Sequence, residues 1–300
     1  MSVTVSGKVR PVVVVGDAGL DVVARHTGPI AHGGDVRAKV TIEPGGAGAN
    51  TAVWLAACGA SPVLVARVGA DSAGRQVHAE LTSAGVQCAF AVDPDLATCC
   101  VVVLVDENGQ RSMLPDRGAN ARFSPADLDP GLLAGTDGHL HLSGYVLLDA
   151  TSRPAGLAVL KAAHAAGWTT SVDPQAAVLI HSAEAFLEDV RGVDFLLPNA
   201  DELLALTGSS EPASAKSLLT HVGAVVVTSG PDGASWVDAD EIISVPAETT
   251  ECVDSTGAGD AFDAGFLAAW LAGASKRDAL LGGVRAGSRA VSVVGAQPPR

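Results

Sequence analysis

The apolar positions of this chain fall mainly into short, unbroken, β-branched runs separated by small-residue helical text. Pro11-Val12-Val13-Val14-Val15 ends at Gly16-Asp17, the pattern of a strand buried on both faces. Residues 62–66 form another run and lead through Asp71, an expected N-cap, into helical text over 75–83. From residue 139 the rhythm is regular: 139–142, 169–172, 195–197 and 224–228 read as strands, each followed by helix or turn residues. That alternation predicts an α/β fold, a doubly wound, mostly parallel central sheet flanked by helices.

Two stretches break the rhythm. Residues 28–44 are polar, with Gly33-Gly34 and alternating Arg37, Lys39 and Thr41. Residues 98–105 are β-branched, turn at Asp106-Glu107-Asn108-Gly109, and return over 111–114, a hairpin pattern. Together they predict a small β-sheet lid, roughly 17–43 and 97–118, inserted in a single domain of residues 1–300. Ser124-Pro125-Ala126-Asp127 carries a helix start signal with Pro in first position, and 280–294 reads as the last helix.

With 48% hydrophobic residues in 300 the chain can fill a complete core. A net charge of −14 argues against nucleic-acid and anionic-membrane partners. No apolar stretch reaches membrane-span length, and the first residues lack the text of a secretory signal. Cys58, Cys88, Cys99, Cys100 and Cys252 show no C-x-x-C spacing, as expected of reduced thiols in a cytoplasmic protein. His139 and His141 share one strand face but lack the third ligand of a zinc site.

The chemistry-bearing text lies at strand ends. Val253-Asp254-Ser255-Thr256-Gly257-Ala258-Gly259-Asp260 runs a glycine turn into a small-residue helix. There the N–H groups of Gly257, Ala258 and Gly259 would lack intrahelical partners, which with the helix dipole favours phosphate. Asp260, directly behind such an anion hole, repels the ligand unless it takes a proton from the group attacking the phosphate. A plain capped helix explains the same residues locally. Gly45-Gly46 ahead of a helix over 51–58 lets a ligand approach the backbone, and Asn50 can bond a polyhydroxyl; a simple turn is the alternative. Asn199 and Glu202 share a first helical turn and either hold the water shell of Mg²⁺ or form a capping box. Thr228, Gly230 and Gly233 follow a strand and either admit a nucleotide or make a hairpin.

In order, Gly45-Gly46-x-x-x-Asn50, Asn199-x-x-Glu202, Thr228-x-Gly230-x-x-Gly233 and Gly257-Ala258-Gly259-Asp260 resemble the motif series of the ribokinase-like (PfkB-type) carbohydrate kinases, across essentially the whole chain. The resemblance implies transfer of the γ-phosphate of ATP, with Mg²⁺, to a hydroxymethyl group of a small carbohydrate. It implies Asp260 as base, Gly257, Ala258 and Gly259 as anion hole, and Asp21, Gly45, Gly46 and Asn50 on the acceptor. Asn199, Thr228, Gly230 and Gly233 would serve the nucleotide, and Glu202 with Asn199 would organise Mg²⁺ through water. A monovalent cation such as K⁺ would sit beside the anion hole on Asp254 and Ser255, and a homodimer would form through the lid.

Departures touch the acceptor. Where ribokinases proper carry polar ribose contacts, this chain has Gly19, Ala47 and Ser143, so the same sugar held the same way is not expected. A nucleoside kinase of the same family, or a non-catalytic sugar or nucleotide sensor on this fold, are the alternatives; intact Asp260, Asn199 and Glu202 count against the sensor. Gly16-Asp17-Ala18-Gly19 is not a dinucleotide fingerprint, and no P-loop motif occurs.

Overall fold

The structure is a computed structural model that describes residues 10–107, 110–135 and 137–299. In chain order its strands are β1 (Val12–Val15), β2 (Gly19–His26), β3 (Ala38–Gly45), β4 (Pro62–Gly69), β5 (Gln87–Asp93), β6 (Cys99–Val105), β7 (Arg111–Asp116), β8 (His139–Ser143), β9 (Thr169–Asp173), β10 (Phe195–Leu196), β11 (Ala224–Thr228), β12 (Ala234–Val237) and β13 (Ile242–Val245). The α-helices are α1 (Ala47–Ala57), α2 (Ser72–Ser83), α3 (Tyr145–Leu148), α4 (Arg153–Ala165), α5 (Ala183–Asp189), α6 (Ala200–Thr207), α7 (Ala258–Leu271) and α8 (Lys276–Val291).

β1 needs its four valines because it is buried on both faces. Val12 and Val14 pack into a core with α1, α2, α7 and α8, while Val13 and Val15 pack into a second core with α4, α5 and α6. Each fully buried side chain of this size contributes about 1.5–3 kcal/mol relative to exposure. The large sheet runs β13-β12-β11-β10-β9-β8-β1-β4-β5. It is parallel from β11 to β5, and β12 and β13 extend one edge as antiparallel strands. The doubly wound α/β expectation holds.

Several boundaries differ from the sequence reading. The first helix begins at Ala47 rather than residue 51, α2 begins at Ser72, and the last helix spans Lys276–Val291 rather than 280–294. Asp71 caps α2 by accepting from Gly74 N–H at 2.8 Å. Ser124 to Asp127 forms a capping box, yet the 3₁₀ turn it opens covers only Pro125–Asp127. Of the predicted lid turn, Asn108 and Gly109 lie outside the described residues.

The second sheet, β3-β2-β6-β7, is the small one read from the polar stretches. Its register sorts its faces. Val22 stands beside Ile42 and Val102, and Val102 beside Leu114, so these four share one side; Val40, Ile42 and Leu114 are more than half exposed there. Asp21, Val23, Arg25, Glu43, Val103, Val105 and Arg111 line a cleft on the opposite side. At the base of this sheet Arg117 makes a bidentate pair with Asp17 at 2.7 and 2.8 Å and reaches Asp149 at 2.7 Å. Asn120 Nδ2 donates to the Ala18 carbonyl at 3.0 Å. These bonds tie the return of the small sheet to the exit of β1.

His139 and His141 are buried in the middle of the large sheet. His139 Nε2 and His141 Nδ1 both lie 2.9 Å from Ser171 Oγ, and His139 Nδ1 lies 2.9 Å from Thr169 Oγ1. Burial drives both rings down, to about 3 and about 4, so they stay neutral at physiological pH.

Candidate active site

The carboxyl ends of the parallel strands deliver the site, as open α/β sheets do. Gly257 has φ 70° and caps α7. A Cβ at this position would lie 2.5 Å from the Ala296 carbonyl oxygen, so both conformation and space demand glycine. The first intrahelical bond runs from Ala261 N–H to the Gly257 carbonyl, which leaves Gly259 and Asp260 N–H ahead of it. Ala258 N–H turns back to the Ser255 carbonyl at 3.3 Å. The three-amide hole read from the sequence is therefore altered at Ala258. In front of Gly259 the space is open: a Cβ there would meet no atom within 4 Å.

Asp260 lies one residue deeper and is only 7% exposed. Its Oδ2 accepts from Asn50 Nδ2 at 3.1 Å. Its Oδ1 has Gln175 Nε2 at 3.4 Å and Thr51 Oγ1 at 3.5 Å. Burial pushes this carboxyl up to about 6, against the bonds from Asn50, Gln175 and Thr51. Asn50 is thus engaged with Asp260 and, through Oδ1, with Gln297 Nε2 at 3.3 Å. Asp21 faces the same region and is raised to about 6 by burial, by Glu43 and by Asp260. It can sit there because residue 45 has no side chain: a Cβ on Gly45 would lie 2.2 Å from Asp21 Oδ1. Gly46, with φ 94°, is the N-cap of α1.

Asn199 and Glu202 form the capping box. Asn199 Oδ1 accepts from Glu202 N–H at 2.9 Å, and Glu202 accepts from Asn199 N–H at 2.9 Å and from Asn199 Nδ2 at 2.7 Å. Glu202 is nevertheless buried and raised to about 7 by desolvation, against its bonds from Asn199. Asp173, at the end of β9, and Asp263, one turn along α7 from Asp260, are both pushed well up by burial and by neighbouring carboxylates. Asp263 Oδ2 has no hydrogen-bond partner. Thr228 ends β11, and Gly230 and Gly233, with φ 55° and 96°, turn it into the antiparallel β12. The hairpin alternative and the strand-end position are both realised.

Three groups here were not singled out in the sequence. Gln175 takes the left-handed conformation, φ 70°, and its amide also donates to Asp173 Oδ2 at 2.6 Å, bridging two carboxylates. Asp263 was legible as the residue three past Asp260, on the same helical face. Arg111, read only as part of a hairpin, reaches from β7 to Asp254 and Thr256. Burial acts to raise Asp254, and the bonds from Thr256 and Gly295 with the charge of Arg111 outweigh it, holding that carboxyl below its usual range. The cleft bounded by Asp21, Arg25, Arg111, Asp254 and Ala296 has a free volume of about 10 Å³, room for one water. Through Arg111 the small sheet touches the turn that precedes Gly257.

Among the described residues no helix is long and apolar enough to cross a membrane. Comparison with known proteins agrees with this architecture. The family model described as pfkB family carbohydrate kinase matches residues 10–300. The chain is 31% identical over 229 residues to an ATP-dependent ribose-1-phosphate kinase of Halopiger xanaduensis, covering 76% of this chain and 73% of that one. It is 31% identical over 235 residues to a fructokinase of Vibrio alginolyticus, covering 75% and 76%. The solved structure of a putative ribokinase II from E. coli in complex with ATP and Mg²⁺ superposes with a TM-score of 0.84 at 26% identity, covering 96% of this chain and 94% of that one. The chain belongs to the pfkB family of carbohydrate kinases and, as a member, is a phosphotransferase.

Proposed function

We propose that this protein transfers the γ-phosphate of ATP to a primary hydroxyl of a small carbohydrate. The observation that carries this reading is the placement of buried Asp260 directly behind the open amide turn at Gly257–Gly259, with Asn50 and Gln175 fixing its carboxylate. The acceptor oxygen attacks the γ-phosphorus and gives its proton to Asp260. The bond to the bridging oxygen breaks, and ADP leaves. Gly257 and Gly259 face the charge that grows on the phosphoryl oxygens. Asp21, beside Gly45 and Gly46, receives the acceptor's other hydroxyls. Thr228, Gly230 and Gly233 border the nucleotide at the end of β11, as does Asn199 beyond β10.

The buried carboxylates fit a hydrated divalent cation. Glu202 raises both Asp173 and Asp263, Asp173 raises Asp263, and Asp263 Oδ2 is unpartnered. Asn199 already takes the Glu202 oxygens, so Glu202 and Asn199 would hold Mg²⁺ through its waters. Bound there, the ion would neutralise phosphate charge.

A nucleoside acceptor is the second reading, favoured by the apolar row Val23, Val103 and Val105 on the cleft side of the lid. ADP release from Mg-ATP against neutral sugars, sugar phosphates, sugar acids and nucleosides separates the two. Thermal shifts with ATP but no turnover on any neutral sugar, sugar phosphate or sugar acid would overturn the small-carbohydrate acceptor.

The outward row Val22, Ile42, Val102 and Leu114 supports a homodimer through the lid, because an exposed apolar sheet face of this kind invites a partner. Light scattering should give a dimer that Ile42→Lys dissociates; a monomeric wild-type chain would dismiss it.

A further inference from the structure

The family resemblance implies a monovalent cation beside the anion hole, on Asp254 and Ser255. The donor set here does not fit one. Asp254 Oδ1 accepts from Thr256 N–H at 2.8 Å and from Arg111 Nη2. Asp254 Oδ2 accepts from Gly295 N–H at 3.1 Å and has Arg25 Nη2 at 3.6 Å. The Ser255 carbonyl is taken by Ala258 N–H at 3.3 Å. Both oxygens of the carboxylate that should grip a cation already face N–H donors, and the positive charge comes from two guanidinium groups.

We propose that Arg111 is a positioning residue that replaces the monovalent cation, carried into place by the lid. The proposal rests on the kinase reading of the Gly257–Gly259 turn. Arg111 belongs to β7 of the small sheet, whereas Asp254 and Thr256 belong to the turn that leads into α7. Arg111 Nη1 donates to Thr256 Oγ1 and Nη2 to Asp254, so one planar fork spans the residues immediately before Gly257. Arg is always charged and presents its donors in fixed geometry, which makes the arrangement a rigid brace. Asp254 is 5% exposed and the Arg111 side chain 17%, so the pair is shielded from solvent screening far more than a surface ion pair. Arg25 stands beside Val105 in the lid register and Val105 beside Arg111, so a second positive charge reaches the same carboxylate from the next strand but one. Lid closure and completion of the anion hole are then one event. An open lid leaves the turn without its counter-charge, and ATP is protected from water until the acceptor is enclosed.

The experiment uses the full chain with its best acceptor from the panel, in Na⁺ or K⁺ at constant ionic strength. Wild-type turnover should be the same in both, and K⁺ should not shift its melting temperature. Arg111→Met should lower kcat by about 10²-fold, the scale of losing one charge-stabilising group, with KM for ATP little changed. K⁺ or guanidinium ion should restore part of that kcat and raise the melting temperature of the variant. Arg111→Lys, which keeps the charge but not the fork, should fall between the two. Strong activation of wild type by K⁺ overturns the proposal. So does an Arg111→Met enzyme with raised acceptor KM and no response to either cation, which would reduce Arg111 to a lid tether. The melting-temperature arm needs no acceptor, so it still decides the cation question if no turnover is found.

Discussion

Asp260→Asn should bind ATP and acceptor nearly as wild type does and lose about 10²–10⁴-fold in kcat, the usual contribution of a general base. The substitution keeps shape, and the amide oxygen can still accept from Asn50 Nδ2, now 3.1 Å from Asp260 Oδ2. What it removes is the ability to take a proton. The same experiment has a pH signature. Burial places the Asp260 carboxyl of the free enzyme at about 6, and a base works only when deprotonated, so wild-type kcat/KM should climb through about pH 6 and level off above it. The Asn variant should lose that limb. Turnover near the wild-type value, or a limb that survives in the variant, would remove Asp260 from the base role.

Gly257→Ala should cost both stability and catalysis. The left-handed backbone at φ 70° disfavours any Cβ by about 1–2 kcal/mol. Here the added carbon would also press on the Ala296 carbonyl oxygen at 2.5 Å, and neither group is a flexible side-chain end. Relief requires moving the turn, which displaces its N–H groups from the developing phosphoryl charge. A loss of about 10²–10³-fold in kcat is expected, the scale of losing one such donor. Gly259→Ala is the control. Its Cβ would meet nothing within 4 Å, so melting should be unchanged and any loss of activity would come from obstructing the ligand. Equal melting temperatures for the two variants would refute the account of Gly257.

Much of this was legible in the sequence because it rests on local rules. The valine run of β1, the glycine turns and the order of the four motifs are each set by neighbours in the chain, and the fold and family followed from them. The two antiparallel strands at one end of the large sheet were missed for a physical reason. β12 is four residues long and β13 is mostly solvent-facing, so neither shows a run or an alternation long enough to stand out from turn text. The site's remaining members are products of tertiary approach. Gln175 matters because an unusual φ aims its amide at Asp260, 85 residues away, and Arg111 because the lid carries it to a turn 145 residues on. No spacing along the chain encodes either meeting. Asn50 shows the converse: its place at the site was readable, but its bond to Asp260 instead of free readiness for a sugar was not.

The two sets of buried ionisable groups, one in the sheet and one at its edge, pull in opposite directions. His139 and His141 have folded-state values of about 3 and about 4, below their usual 6.5. Their contribution to stability is complete above pH 6.5 and drains away as pH falls toward 4 and then 3. Asp21 and Asp260 are raised to about 6 from 3.8. Stability associated with them is present in acid and is lost as pH rises from about 4 through 6. Glu202, raised to about 7 from 4.5, and Asp173 and Asp263, pushed well up, act in the same direction. These carboxyls outnumber the two histidines, so the ligand-free protein should lose stability as pH rises from about 4.5 toward 7. A melting series across pH 4 to 9 would reveal that fall, and a steady rise through that window would contradict it. As a base, Asp260 would become competent only as pH rises through about 6, inside that window. An enzyme that uses Asp260 as its base would therefore work on the descending slope of its own stability curve, and the proton whose loss would enable Asp260 to act is one whose retention favours the fold.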